Sequence, residues 1–204
     1  MEQTTFGETR IDPLHDQNAF SFTKTAEKLG QMWETSFEDH QLRLPLREDA
    51  EEDNTLAQLE KRAHKALGLE AGDPFIVVVR VRSHDQQPQL IQRIYLRPND
   101  FPQSFLQDHD FARESLVDIY EKYGYQLTSR NSTLTARMAN LYETNELGIR
   151  LGKPVLVAEQ ELFAVDSSNG NSVLLEYLEA TYVDWSYRIE SRPAIQTDRN
   201  EPEQ

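Results

Sequence analysis

Phe75-Ile76-Val77-Val78-Val79-Arg80-Val81-Arg82 is the stretch on which the fold of this chain turns. Five of its eight residues are β-branched, and Asp73-Pro74 turns the chain into it, so it is predicted as a strand. Side chains alternate along a strand, which sends Val77, Val79 and Val81 into the core. Val78, Arg80 and Arg82 share the other face. Two guanidiniums one pleat apart repel each other, and an anion between them relieves that repulsion. The planar Arg fork suits a carboxylate or phosphate bidentately. A solvated sheet face, with Arg stems lying over apolar surface, would produce the same pattern.

Working outward, Asp85 to Pro88 reads as a turn and Leu90 to Leu96 as a second strand, broken by Arg97-Pro98-Asn99-Asp100-Phe101-Pro102. Upstream, Leu56, Leu59, Ala63, Ala66 and Leu67 recur at helical spacing over Thr55 to Leu67, with Gly68 as the stop. Ser115 to Tyr123 is predicted as a helix closed by Gly124, and Ala139 to Leu147 as another closed by Gly148. Tyr125 to Arg137 alternates as a strand, with Leu127, Ser129, Asn131 and Thr133 on one parity. Pro154 to Phe163 and Asn171 to Tyr187 form two long strands around the turn Asp166 to Gly170. Nearer the amino terminus, Thr25 to Gly30 reads as a short helix, and Leu42, Leu44 and Leu46 alternate as in a strand. Arg47 to Asp53 is an acid-rich connector. Residues 1–19 lack apolar periodicity and are predicted as a flexible arm, and 191–204 as a flexible tail. Strands in hairpins with helices in the connections imply an α+β fold. It has a largely antiparallel sheet of about six strands and three or four helices.

The 204 residues carry 35 Asp plus Glu against 21 Lys plus Arg, a formal net charge of −14. Such a balance argues against solitary grip on a nucleic acid or an anionic membrane. There is no Cys, which removes disulfides, thiolate nucleophiles and Cys-ligated metals. No apolar run reaches the length of a spanning helix and no signal peptide is evident, so the sequence predicts a cytoplasmic protein. The five His are scattered without HxH or HExxH spacing, and no GxGxxG, P-loop or GxSxG occurs. Neither a metal nor a cofactor is expected.

Two further groups have chemical potential. Thr128-Ser129-Arg130-Asn131-Ser132-Thr133 gathers hydroxyl, amide and guanidinium donors that suit a polar pocket or, equally, an exposed edge strand. Glu176 lies in the apolar run Leu174-Leu175-Glu176-Tyr177 with Tyr182 on its parity. A carboxylate there needs a partner, which Arg80 or Arg82 across the sheet could supply, as in a plain salt bridge.

An ordered series of short motifs runs through the chain: Ser21-Phe22-Thr23…Gly30, Leu67-Gly68-Leu69…Gly72-Asp73-Pro74, Arg80-Val81-Arg82, and Tyr95-Leu96-Arg97-Pro98. It continues through Ser115-Leu116, Tyr123-Gly124, Leu147-Gly148-Ile149, Gly152-Lys153-Pro154-Val155-Leu156 and Glu176…Tyr182. In order and spacing the series resembles the UTRA domain, the effector-sensing half of HutC-type GntR transcription regulators, over residues 20–190. The resemblance implies a chorismate-lyase-like fold, a homodimer, and a pocket on the sheet for a small anionic metabolite. A sugar phosphate, a phosphonate or an amino-acid derivative would each suit it. It further implies ligand-binding roles for Arg80, Arg82, Ser129, Arg130, Glu176 and Tyr182, and no catalytic role for any residue.

Three departures from the family pattern are visible. A winged helix-turn-helix of the usual length does not precede the matched region, so DNA would be reached only through a separate or missing domain. Gln92 stands where relatives often carry a carboxylate. Asp184-Trp185-Ser186 replaces a closing Asp-Arg pair. The alternative reading is a chorismate-lyase-like enzyme, with a strand Arg for a substrate carboxylate and Glu176 as acid.

Overall fold

The computed structural model describes residues 33–44, 55–70 and 72–183. Its six strands are β1 (Trp33–Arg43), β2 (Phe75–His84), β3 (Gln87–Leu96), β4 (Tyr125–Met138), β5 (Pro154–Asp166) and β6 (Ser172–Tyr182). Four α-helices are α1 (Thr55–Ala66), α2 (Phe105–Asp108), α3 (Leu116–Lys122) and α4 (Leu141–Leu147), and Pro98–Asp100 makes one 3-10 turn. Every strand pair is antiparallel, in the order β1-β2-β3-β6-β5-β4. The α+β class and the antiparallel sheet are therefore as the sequence predicts. The early helix at Thr25–Gly30, the arm, the connector and the tail lie outside the described residues, as does the chain beyond Val183.

Hairpins close where the turn chemistry allows. Asp85 and Gln86 join β2 to β3 with both residues at positive φ, 50° and 61°, the backbone of a two-residue turn that follows the sheet twist. Helix α4 begins two residues later than its apolar spacing suggests because Asn140 is its cap. The Asn140 side chain accepts from the Glu143 N–H at 2.9 Å, and Glu143 accepts from the Asn140 N–H at 2.9 Å.

Both faces of the sheet are covered. On the back face Phe75, Val77, Val79 and Val81 pack with Ile91, Tyr95 and Val157 beneath Leu59 and Ala63 of α1, Leu67 just after it and Leu147 of α4. On the front face Ile76, Val78, Leu90, Ile94 and Leu178 pack beneath Phe101, Phe105, Phe111, Ile119 and Tyr120. All eight residues from Phe75 to Arg82 are consequently buried. The Arg face is thus no solvated surface, because the segment from Arg97 to Gly124 folds over it.

Of four register shifts in the described sheet, two bear on the later strands. One lies between Leu127 and Ser129 on β4, and the other interrupts the β5–β6 ladder at Leu162/Phe163, where Leu162 faces Glu176 but Phe163 faces Leu174. A bulge inserts a residue and reverses which side the next residues face. Leu127 packs on the front core, and beyond the bulge it is Arg130, opposite Leu162, that occupies the front. The single parity read for Leu127, Ser129, Asn131 and Thr133 is corrected accordingly.

Candidate anion-binding site

The front face collects most of the polar residues singled out from the sequence. Arg80 pairs with Gln92, which pairs with Ala180, and Arg82 pairs with Leu90, which pairs with Tyr182. Glu176 lies between Leu96 and Leu162, and Leu162 faces Arg130. Directly paired residues share a face, so Arg80, Arg82, Arg130, Glu176 and Tyr182 all project to the front. Ser129 does not join them. The β4 bulge turns it to the opposite side from Arg130, where it is exposed.

Arg80 is the unusual member. It is 1% exposed, and its Nη1 reaches only the Glu114 carbonyl at a long 3.5 Å. Its Nε and Nη2 are buried with no hydrogen-bond partner in the protein. Burial lowers its pKa against the opposing pull of Tyr120, Glu176, Asp110 and Glu114. Arg82, one pleat along and also buried, donates from Nε to Gln92 Oε1 at 2.8 Å. Burial first, and then the neighbouring Arg80 charge, pull its pKa down to about 9, with Tyr182 acting the other way. A guanidinium does not give up its proton under ordinary conditions. Burial is the leading cause of both shifts, and at Arg80 no described carboxylate forms an ion pair to offset it. Gln92 satisfies one donor but supplies no negative charge.

Glu176 is the carboxylate on this face. Tyr120, fully buried on α3, donates its hydroxyl to Glu176 Oε2 at 2.5 Å. Burial raises the Glu176 carboxyl above its usual range, while the Tyr120 bond and the charges of Arg130 and Arg80 pull it down. Glu176 does not form an ion pair with Arg80 or Arg82 within 4 Å, so a cross-strand salt bridge does not account for it. Tyr120 falls inside the helix predicted over Ser115 to Tyr123, with no site role assigned to it from the sequence. Its one available signal was the hydroxyl, which a buried Tyr must satisfy.

The register gives the scale. Arg80 and Glu176 are two strands and four residues apart, roughly 16 Å between Cα atoms, and Glu176 and Arg130 about 10 Å. Long side chains shorten these spans to the size of a small polar molecule. Arg80 and Arg82 offer one cationic pole, with an acceptor and a second cation farther along. Among the described residues no group of His, Cys, Asp or Glu could hold a metal, and no helix is long and apolar enough to cross a membrane.

Residues 53–188 match the family model of the UTRA domain. No curated protein matches the sequence. Among solved structures, the effector domain of PhnF from Mycobacterium smegmatis superposes with a TM-score of 0.62 at 18% identity, over 79% of this chain and 87% of that one. Against the longer PhnF chain the TM-score is 0.60 at 18% identity, and this chain, 79% covered, spans 63% of it. The ligand-binding domain of a GntR-family regulator from Bordetella bronchiseptica gives 0.59 at 16% identity, covering 79% and 90%. These likenesses establish the fold.

Proposed function

Because the chain belongs to the UTRA-domain family, we propose that it is a ligand-sensing regulatory domain of the GntR type that binds a small anionic metabolite on the front of its sheet. The observation carrying this reading is the buried Arg80 guanidinium with two donors unpartnered in the protein. An uncompensated buried cation costs several kcal/mol, and a bound anion offsets that cost. Arg80 and Arg82 are taken to hold the anionic group. Glu176, Arg130 and Tyr182 take the remainder of the ligand, which a sugar phosphate, a phosphonate or an amino-acid derivative would satisfy. Family membership favours regulation over the lyase reading, and the binding of Glu176 by Tyr120 gives that carboxyl a structural partner.

In this reading the domain works as a homodimer and reaches DNA through a separate winged-helix domain, the ligand favouring one dimer geometry over another. A thermal-shift screen of anionic metabolites tests it, since a ligand that binds only the folded state raises the melting temperature. A hit should bind Arg80→Ala weaker by about 1.5–3 kcal/mol, the scale of a charge-assisted bond. Unchanged affinity in that variant removes the site assignment.

A further inference from the structure

Two groups that reach the candidate ligand residues come from one short segment. Glu114 presents its carbonyl to Arg80 Nη1, and Tyr120 donates to Glu176. Both lie within His109–Tyr123, which crosses over the front face between α2 and β4. We infer, on the premise that an anion binds at Arg80, that His109–Tyr123 is a strap whose order depends on occupancy of the site.

The segment is braced internally. The Glu114 carboxylate accepts from the Asp110 N–H at 2.8 Å, from Lys122 Nζ at 2.8 Å and faces His109 Nδ1 at 3.2 Å. His109 Nε2 lies 2.9 Å from the Tyr123 hydroxyl. These bonds tie the two ends of the segment to each other, so it moves as a unit. Its exit is Gly124 at φ +85°, a conformation that an L side chain rarely adopts.

Arg80 divides its donors between strap and site. Nη1 faces the strap carbonyl, whereas Nε and Nη2 form the free edge of the fork. An anion on that edge fixes the guanidinium plane and with it the orientation of Nη1. The long 3.5 Å contact to Glu114 then has a fixed donor. Glu176 provides the second link, because a ligand group held by its carboxylate also fixes the acceptor of the Tyr120 hydroxyl. Binding and strap order are linked in both directions.

Hydrogen exchange of the whole chain tests this with inorganic phosphate as the probe, against chloride at equal ionic strength. Phosphate is expected to slow exchange at amides 113–120 by about threefold or more, along with amides of β2 near Arg80. In Arg80→Ala both the β2 and the strap response to phosphate should fall by more than half. Slowing confined to β2 and β3 in the wild-type chain overturns the strap and leaves the anion site standing. A full strap response in Arg80→Ala also overturns it, since phosphate then slows the strap without the guanidinium. No change in exchange anywhere, with no rise in melting temperature, overturns both the strap and the anion site.

Discussion

The two faces of the sheet treat arginine in opposite ways. On the back, Arg137 forks onto Glu143 at 2.7 and 2.6 Å, and Glu143 also accepts from the Thr181 hydroxyl at 3.0 Å. Arg62 forks onto Glu159 at 2.9 and 3.0 Å, and Tyr177 donates to the same carboxylate. The pKa of both arginines is raised: the Glu143 bond leads at Arg137, whereas at Arg62 burial pulls down and the bonds to Glu159 and Tyr177 outweigh it. On the front, Arg80 and Arg82 are more deeply buried and their pKa values are lowered. The residue type is the same, but the Arg80 fork has no carboxylate of the described residues within ion-pair distance. In a chain with 35 acidic residues, the most buried of the described arginines is without an ion pair. The back-face arginines are paired within the fold, and the buried Arg80 fork without such a pair is what the proposed anion site rests on.

Breaking a back-face pair gives the largest expected loss. Arg137→Met strands Glu143, whose side chain is 4% exposed, and should cost about 3 kcal/mol of unfolding free energy in urea titration. A cost below half of that would mean the pair is not what fixes α4 against β4. Tyr120→Phe comes next. It removes the hydroxyl donor from buried Glu176 and should cost about 1.5–2 kcal/mol by the same assay.

The pH response should also separate the faces. Burial alone would raise the Glu143 carboxyl, but Arg137, the Asn140 N–H and Thr181 bring it net below the ordinary range. Its stabilisation is complete above about pH 4.3, the unfolded value, and is lost as pH falls from there. Glu176 has the opposite sign. Its raised pKa means that the native state holds the proton more tightly, so stability falls as pH rises above about 4.3. Glu176→Gln should therefore flatten the decline in stability as pH rises above about 4.3, a difference read from melts at successive pH values. A slope equal to that of the wild type would remove Glu176 from the account.

The smallest effects belong to exposed positions. Arg62 is 44% exposed in its pair with Glu159, so Arg62→Met should cost no more than about 1 kcal/mol. Ser129→Ala should change stability by less than about 0.5 kcal/mol and leave anion affinity unaltered. A weaker-binding Ser129→Ala would place that hydroxyl at the ligand after all.

What the sequence reveals follows from how local each determinant is. The strand at Phe75–Arg82 and the parity of Arg80 and Arg82 are local, and both are legible. An unbroken run from Phe75 to Val79 also signals burial on both faces, which argues against a solvated Arg face. What covers the front depends on Phe101, Phe105, Phe111 and Tyr120 packing back across the sheet, a contact that no spacing announces. Ser129 fails for a related reason. Bulges are set by hydrogen bonds to a partner strand 35 residues away, as in the Thr128 hydroxyl donating to the Phe163 carbonyl at 3.2 Å. Tyr120 lies within the helix that the sequence predicts, but its partner Glu176 is 56 residues distant in sequence.

The contrast between the faces reduces to one comparison, the unfolding free energy of Arg80→Met beside Arg137→Met without ligand. If Arg80 is a buried charge that the fold does not compensate, an apolar side chain of similar length is neutral or stabilising by up to about 2 kcal/mol, while Arg137→Met is destabilised. Loss of about 3 kcal/mol in both variants would show that Arg80 is a structural arginine like its counterparts on the back, and the anion site would lose its basis.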